Sequence, residues 1–250
     1  MISLAGKRIV VTGGSRGIGR ATALLAARAG ADVGVLYHTR RGDAEQVARE
    51  LRALGRRAFV GGGDLADGDR VAQLMSEVKA AFGALDGIVI NHGIWPPADT
   101  PLSRMAPERW RQTMRANLDS VYFVARAALG AMEPGGRMVM VSSTAGQRGE
   151  AGHADYAATK GAMIALVKSL AIEAAPAITV NAVAPGWVDT EMSATAYADG
   201  GREAIAATIP LQRIATAEDV AGPIVFLLSD LARQVTGEIL NVNGGSVLCG

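Results

Sequence analysis

Tyr156 and Lys160 stand four residues apart in the stretch DYAATKGAM (155–163). On a helix that spacing puts a phenol and an ammonium group on one face, one turn apart. A free tyrosine ionises near pH ~10, and a neighbouring cation favours the phenolate and lowers that value. Bringing it near neutrality takes roughly 3–4 kcal/mol, which a lysine together with a positively charged cofactor ring in a partly dry site is expected to supply. Ser143, thirteen residues before the tyrosine, closes the apolar run RMVMVSS (137–143) and adds a hydroxyl; Ser142 is the alternative serine. A phenol that gives a proton and a hydroxyl that steadies a developing oxyanion suit chemistry at a carbonyl oxygen. The competing reading of Tyr156 and Lys160 is a surface pair. The alanines around them (154, 157, 158, 162 and 165) are expected to let the helix backbone sit close to a bound cofactor.

These side chains need elements to hold them. RIVVT (8–12), DVGVLY (32–37), RAFVGGGDL (57–65), GIVIN (87–91), RMVMVSS and ITVNAVAP (178–185) read as strands, with a last short one in EILNVNGG (238–245). Helical patterns fall between them at 17–30, 44–55, 69–83, near 107–132 and at 154–175. A capping-box pattern, Thr216 to Asp219, opens a late helix running toward Ser229. The alternation implies an α/β chain with a parallel sheet covered by helices on both faces. No linker or repeat divides the chain, so one domain is expected over 1–250. The least regular interior stretch, 187–212, reads as a mobile flap over a site, or as an ordinary surface loop. Ligands of such sheets sit outside the carboxyl ends of the strands, where Ser143, Tyr156 and Lys160 would meet.

Between the first strand and its helix lies VVTGGSRGIGRA, with glycines at 13, 14, 17 and 19. A glycine turn there lets a backbone approach a pyrophosphate at a helix N-terminus; the same glycines also serve tight strand–helix packing alone. A ribose-binding carboxylate is expected at the far end of the second strand, but that end reads YHTRRGD, and Asp32 lies at the strand's beginning. Tyr37, His38 and Thr39 stand there instead, followed by Arg40 and Arg41, with Arg16 inside the glycine turn. Guanidinium groups suit a 2′-phosphate, which points to NADP(H), with NAD(H) as the alternative.

The segment TGGSRGIG (12–19) resembles the T-G-x-x-x-G-x-G signature of the short-chain dehydrogenase/reductase family. Further motifs follow in that family's order: DL (64–65), NHG (91–93), Asn117 in ANLDSVYF, Ser143 in VSSTAG, YAATK (156–160) and PGWVDT (185–190). The resemblance runs from residue 12 to the final NVNGG and implies a Rossmann-type doubly wound sheet of about seven strands. It assigns catalysis to Asn117, Ser143, Tyr156 and Lys160. Tyr156 would protonate a carbonyl oxygen as hydride arrives from nicotinamide, Ser143 would hold that oxygen, and Lys160 would tune the tyrosine and bind the ribose. Asn117 would anchor a water in the proton path, or merely cap or bend its helix. The implied cofactor contacts are Gly13, Ser15, Arg16, Gly17, Ile18 and Gly19 in the turn and Tyr37, His38, Thr39 and Arg40 beyond the second strand. Asp64 and Leu65 would line the adenine, and Asn91 and Gly93 would pass beneath the cofactor. Pro185, Gly186, Val188 and Thr190 would embrace the nicotinamide, alongside Tyr156 and Lys160. INHG departs from the family's N-N-A-G at Ile90 and His92. His92 and His153 are expected to be structural or lining residues.

Within the family, the segments look most like 3-oxoacyl-[acyl-carrier-protein] reductases, which implies an acyl-thioester substrate, a carrier protein as partner and a homotetramer. Sugar, polyol and steroid dehydrogenases share the same segments, and a nucleotide-binding sensor without turnover is the reading from another class. Trp95 and the prolines of HGIWPPADTP (92–101), with Trp187, are expected either to narrow the pocket or to pack locally. Bulk properties agree. The net charge of +1 on 250 residues offers no field for nucleic acid, and 49% apolar residues can bury a large core. The one cysteine, Cys249, cannot form an internal disulfide, which fits a cytoplasmic chain. No leader pattern, membrane span or metal-ligand spacing is apparent.

Overall fold

The computed structural model of the chain describes residues 2–198 and 200–249; Met1, Gly250 and Asp199, which falls in the expected flap, lie outside the described residues. Among the described residues one all-parallel sheet of seven strands runs in the order β3-β2-β1-β4-β5-β6-β7. The strands are β1 (Arg8–Thr12), β2 (Asp32–Tyr37), β3 (Ala58–Gly62), β4 (Leu85–Ile90), β5 (Met132–Val141), β6 (Ile178–Pro185) and β7 (Ile239–Val242). Ile9 and Val11 point into one core, and Val10 between them points into the other. Burial on both faces is why the strands read as continuous apolar runs. The first core is closed by α1 (Gly17–Arg28), α2 (Arg41–Ala53) and α9 (Ala217–Leu228). The second is closed by α3 (Gly68–Phe82), α5 (Ser120–Ala131) and α7 (Ala154–Glu173).

The chain builds outward from β1 to β3, then returns to place β4 on the other side of β1. Connections diverge above this switch point and leave a crevice at the carboxyl ends of β1 and β4. The late helix has the expected capping box. The Thr216 hydroxyl accepts from Asp219 N at 3.2 Å, and the Asp219 carboxylate accepts from Thr216 N at 2.8 Å.

Several boundaries differ from expectation, and three bear on the site. β5 starts at Met132 and stops at Val141, so Ser143 lies past the strand as the N-cap of the short helix α6 (Thr144–Arg148). The helix expected near 107–132 is α4 (Pro107–Met114) joined to α5 through a π turn, Arg115–Asp119, which contains Asn117. The expected flap forms two short helices, a 3₁₀ segment Glu191–Tyr197 and α8 (Gly201–Ala207).

The alanines of α7 do not do what the sequence led us to expect. Ala158 and Ala165 are exposed, and of the α7 residues only Tyr156 and Lys160 line the main cleft. The close backbone approach belongs to a glycine in α6. A Cβ on Gly146 would lie 2.5 Å from the carbonyl carbon of Lys160 and 2.7 Å from the nitrogen of Gly161. Its absence lets α6 press directly on α7 beside the putting-together of serine, tyrosine and lysine. Gly146→Ala must push these helices apart and is expected to lower stability by about 1–3 kcal/mol. Gly42→Ala, where an added Cβ meets nothing within 4 Å, is expected to be neutral or stabilising by up to about 1 kcal/mol. Urea denaturation of both variants checks the contrast.

Candidate active site

At the carboxyl ends of the strands lies a cleft of about 610 Å³. One end is the β1–α1 turn, where Gly13 (φ +62°) and Gly17 (φ +52°) take left-handed conformations. Asn91, just past β4, ties the turn from below, its Nδ2 donating to the carbonyls of Thr12 and Gly13 at 3.2 Å. Gly19 does not line the cleft. A Cβ there would fall 2.2 Å from the Gly13 carbonyl oxygen, so its part is to let α1 begin hard against the turn. Whereas α3 and α9 are capped by the side chains of Asp67 and Thr216, α1 has no side-chain cap and, among the described residues, no acid in its first turn. Its first N–H groups and positive dipole end therefore remain available at a wall formed by Ser15, Arg16, Gly17 and Ile18. An anionic diphosphate fits that wall.

Tyr37, His38, Thr39 and Arg40 continue the same side, with Asp64 and Leu65 beyond them. Burial opposes ionisation of Asp64, but the Ala66 N–H at 2.9 Å and the Arg115 guanidinium at 2.6 Å outweigh it and hold its pKa low. Asp32 pairs instead with Arg57 at 2.7 Å and does not line the cleft. Of the two arginines expected after β2, Arg40 lines the cleft, whereas Arg41 opens α2 and reaches Glu45 at 3.8 Å.

Ser143, Tyr156 and Lys160 meet at the other end. The Ser143 hydroxyl accepts from Ala145 N at 3.1 Å. Burial pushes the Tyr156 pKa up to about 12; hydrogen bonding by Ser143 offsets part of the rise, and the Glu150 carboxylate adds to it. Lys160 is 4% exposed. Its Nζ donates to the Val141 carbonyl at 2.8 Å and lies 5.7 Å from the centre of the Tyr156 ring. Burial lowers the lysine to about 8, and among the described residues no carboxylate pairs with it. In the protein alone the expected lowering of the tyrosine by this lysine is not found. The ammonium is turned to a backbone carbonyl and both groups are desolvated, so the phenol keeps its proton across neutral pH. Ser142 engages its hydroxyl with the Lys160 carbonyl at 2.9 Å, which leaves Ser143 as the serine facing the phenol.

Asn117 is buried and does not line the cleft. From the π turn its Oδ1 accepts from Ile94 N at 2.7 Å and its Nδ2 donates to Ile94 O at 2.8 Å. That clamp fixes the β4–α4 connection next to Gly93, which with Asn91 lines the cleft floor. His92 sits between Thr12 Oγ1 (2.7 Å) and Ser120 Oγ (2.8 Å). Ser120 donates to Ala116 O at 2.8 Å, whereas Val89 O lies 3.3 Å from the Thr12 hydroxyl, farther than the histidine nitrogen; the histidine is therefore assigned as donor to Ser120 and acceptor from Thr12, a neutral tautomer. Burial, reinforced by the Lys160 charge, lowers its pKa to about 3, so it is a staple between β1 and α5 rather than an acid or base.

Pro185, Gly186, Val188 and Thr190 follow β6 along the rim. The opposite wall is aromatic. Trp95 stacks on His153 (centroids 4.5 Å apart) and meets Trp187 edge-on at 6.1 Å. The Trp95 indole donates to Glu150 at 3.2 Å, and burial raises that carboxyl's pKa. Sequence reasoning missed Glu150, Glu191 and above all Arg109. Arg109 binds the Asp155 carboxylate at 3.0 and 3.3 Å, the carbonyls of Ala98 and Gly152, and the Thr100 hydroxyl. Thr113 adds a third hydrogen bond to Asp155, at 2.8 Å. The acid beside the tyrosine was the available signal.

A doubly wound sheet with Ser143, Tyr156 and Lys160 gathered beside a glycine-turn cleft defines a dinucleotide-dependent oxidoreductase site. The chain belongs to the short-chain dehydrogenase/reductase family. The family model described as enoyl-(acyl carrier protein) reductase matches residues 13–246. The chain is 40% identical over 242 residues to the 3-oxoacyl-[acyl-carrier-protein] reductase FabG of Staphylococcus aureus, covering 96% of this chain and 97% of that one. It is 38% identical over 248 residues to the enzyme of that name from Escherichia coli strain K12, covering 98% of each. Among solved structures, a Brucella melitensis short-chain dehydrogenase/reductase titled glucose/ribitol dehydrogenase superposes with TM-score 0.93 at 31% identity over 99% of both chains. A Burkholderia cenocepacia short-chain dehydrogenase in complex with NADP gives 0.90 at 37% identity over 97% of this chain and 98% of that one.

Asp155 is fully buried, and burial alone would raise its pKa. Arg109, Thr113 and the Tyr156 N–H more than offset this and depress it. A depressed carboxylate contributes stability above its unfolded pKa of about 3.9 and loses it as pH falls through the folded value. Asp155→Asn is expected to lower stability by about 2–4 kcal/mol at neutral pH, because Arg109 is left without its counter-charge. The gap from wild type is expected to shrink towards about pH 3; urea titrations at both pH values measure it.

Proposed function

We propose that this oxidoreductase is an NADP(H)-dependent reductase of 3-oxoacyl thioesters, with Tyr156 as proton donor. The observation that carries the reading is the half-buried Tyr156 phenol, its pKa raised by desolvation, gathered with the Ser143 hydroxyl and Lys160 in one cleft. The cofactor supplies a hydride to the carbonyl carbon. Ser143 hydrogen-bonds the carbonyl oxygen, Tyr156 transfers its proton to that oxygen, and Lys160 holds the ribose and supports the phenol. Asn117 is a positioning residue that fixes Ile94 and the floor beneath Lys160. Gly13, Ser15, Gly17 and Ile18 cradle the diphosphate, Gly19 supports that turn from behind, and Thr190 approaches it from the rim.

NADP(H) is preferred on the strength of Arg16 and Arg40 at the wall where an adenosine 2′-phosphate would lie, with no carboxylate at the end of β2. The thioester preference draws on the names of the curated relatives and on an apolar wall at Trp95 and Trp187. With it come an acyl carrier protein as partner, a homotetrameric assembly and a cytoplasmic location. Glu150 favours a second reading. A carboxylate next to the reacting centre accepts hydrogen bonds from hydroxyl groups, which suits a sugar or polyol. Turnover itself separates either reading from a nucleotide-binding sensor.

NADPH oxidation followed at 340 nm with 3-oxoacyl thioesters, ketoses and plain ketones tests the proposal. Thioesters are expected to give the highest kcat/KM, with NADPH preferred over NADH; a clear polyol or NADH preference overturns the corresponding part. Tyr156→Phe is expected to lower kcat/KM by about 10²–10⁴ while NADPH still binds.

The pH dependence follows from two desolvated groups. Tyr156 stays protonated to about 12 and Lys160 loses its proton near 8. Reduction is expected to be level below about pH 8, because Tyr156 keeps its proton, and to fall above it only through weaker NADPH binding as Lys160, the ribose ligand, becomes neutral. Alcohol oxidation requires tyrosinate and is expected to rise with pH over the same range. Profiles of kcat/KM in both directions check this.

A further inference from the structure

Arg16 stands in the glycine turn before α1, and Arg40 stands between β2 and α2. Both line one wall of the cleft, and both converge on a single carboxylate oxygen of Glu191. Arg16 Nη1 donates to Oε2, and Arg40 Nη2 lies 3.4 Å from the same atom. Glu191 begins the 3₁₀ segment of the flap, directly after Thr190, whose Cγ2 would sit 3.4 Å from a Cβ on Gly17. Arg40 also reaches Asp43 at 3.7 Å, whereas Arg16 has no other carboxylate partner among the described residues. Two cations closing on one anion form an anion site, and here the chain supplies the anion. All three side chains are about half exposed, so the pairing is an equilibrium that a stronger anion can reverse.

We propose that Glu191 is a built-in competitor for the 2′-phosphate of the cofactor and thereby a determinant of cofactor specificity. The inference rests on reading Arg16 and Arg40 as the 2′-phosphate ligands. A phosphate monoester carries up to two charges and three acceptor oxygens, and guanidinium groups bind it more strongly than a single shared carboxylate oxygen. A ligand with that phosphate must displace Glu191, while one without it need not. Its apparent affinity is reduced by the fraction of molecules in which the arginines are free. Glu191 thus narrows the discrimination between the two dinucleotides. Binding of the phosphorylated one also releases the first residue of the flap.

Glu191→Gln keeps the shape and removes the charge. Titration calorimetry with adenosine 2′,5′-bisphosphate and with 5′-AMP reads the subsite without any turnover. The variant is expected to bind the bisphosphate about three- to tenfold more tightly and AMP within about twofold of wild type. In an Arg16→Ala/Arg40→Ala background the gain from Glu191→Gln is expected to vanish. An unchanged bisphosphate affinity, an equal gain for AMP, or a gain that survives without the arginines overturns the proposal; the last would assign the effect to general charge repulsion. If removing both arginines alone leaves bisphosphate affinity at the wild-type level, the arginine reading itself fails, and the subsite with it.

Discussion

The Asp155 carboxylate has no contact with solvent and is one residue from the tyrosine that carries the chemistry. Its partner, Arg109, reaches out from α4 and collects the carbonyls of Ala98 and Gly152 along with the acid. One guanidinium thus binds the loop after β4, the loop before α7 and the first turn of α7. A buried ion pair contributes little net stability unless its remaining hydrogen bonds are made, and here Thr113 and Thr100 help to complete the set. The rotational setting of α7, and so the direction in which Tyr156 and Lys160 point, depends on this hub.

Around it the cleft divides into two electrostatic regions. The β1–α1 end gathers positive potential from an uncapped helix terminus and from Arg16 and Arg40. The far end is drier and holds a phenol, an ammonium and the Glu150 carboxyl, all displaced by burial from their ordinary ionisation. Burial in each case disfavours the charged form. The protein alone therefore keeps a proton on the tyrosine at neutral pH, the form that reduction of a carbonyl requires.

Much of this was legible in the sequence because the signals were local. Strands buried on both faces announce themselves as unbroken β-branched runs, and the glycine turn and the Tyr156–Lys160 spacing sit within a few residues. The Thr216–Asp219 box also required only four consecutive positions. What escaped depended on long-range contact. Arg109 lies 46 positions before Asp155, and Glu191 lies 175 positions after Arg16. The weight of the lysine's influence was also misjudged, because spacing places Nζ on the right helical face but does not reveal that the Val141 carbonyl captures it. The alanine expectation failed for a similar reason: helical periodicity does not say that the contact with α6 falls on Gly146.

The π turn at Arg115–Asp119 carries one residue more per turn than the helices on either side of it. Each residue of an α-helix advances the azimuth by about 100°, so that single surplus residue acts as a phase shift between α4 and α5. It lets α4 aim Arg109 and Thr113 at α7 while α5 lays Val121, Val124 and Ala128 on the sheet. Excising one residue from that turn would restore regular winding and rotate one helix against the other by more than a quarter circle. Either the apolar stripe or the polar hub would then face the wrong neighbour. An irregularity that looks like a flaw in the winding is thus what reconciles two binding surfaces on one continuous rod.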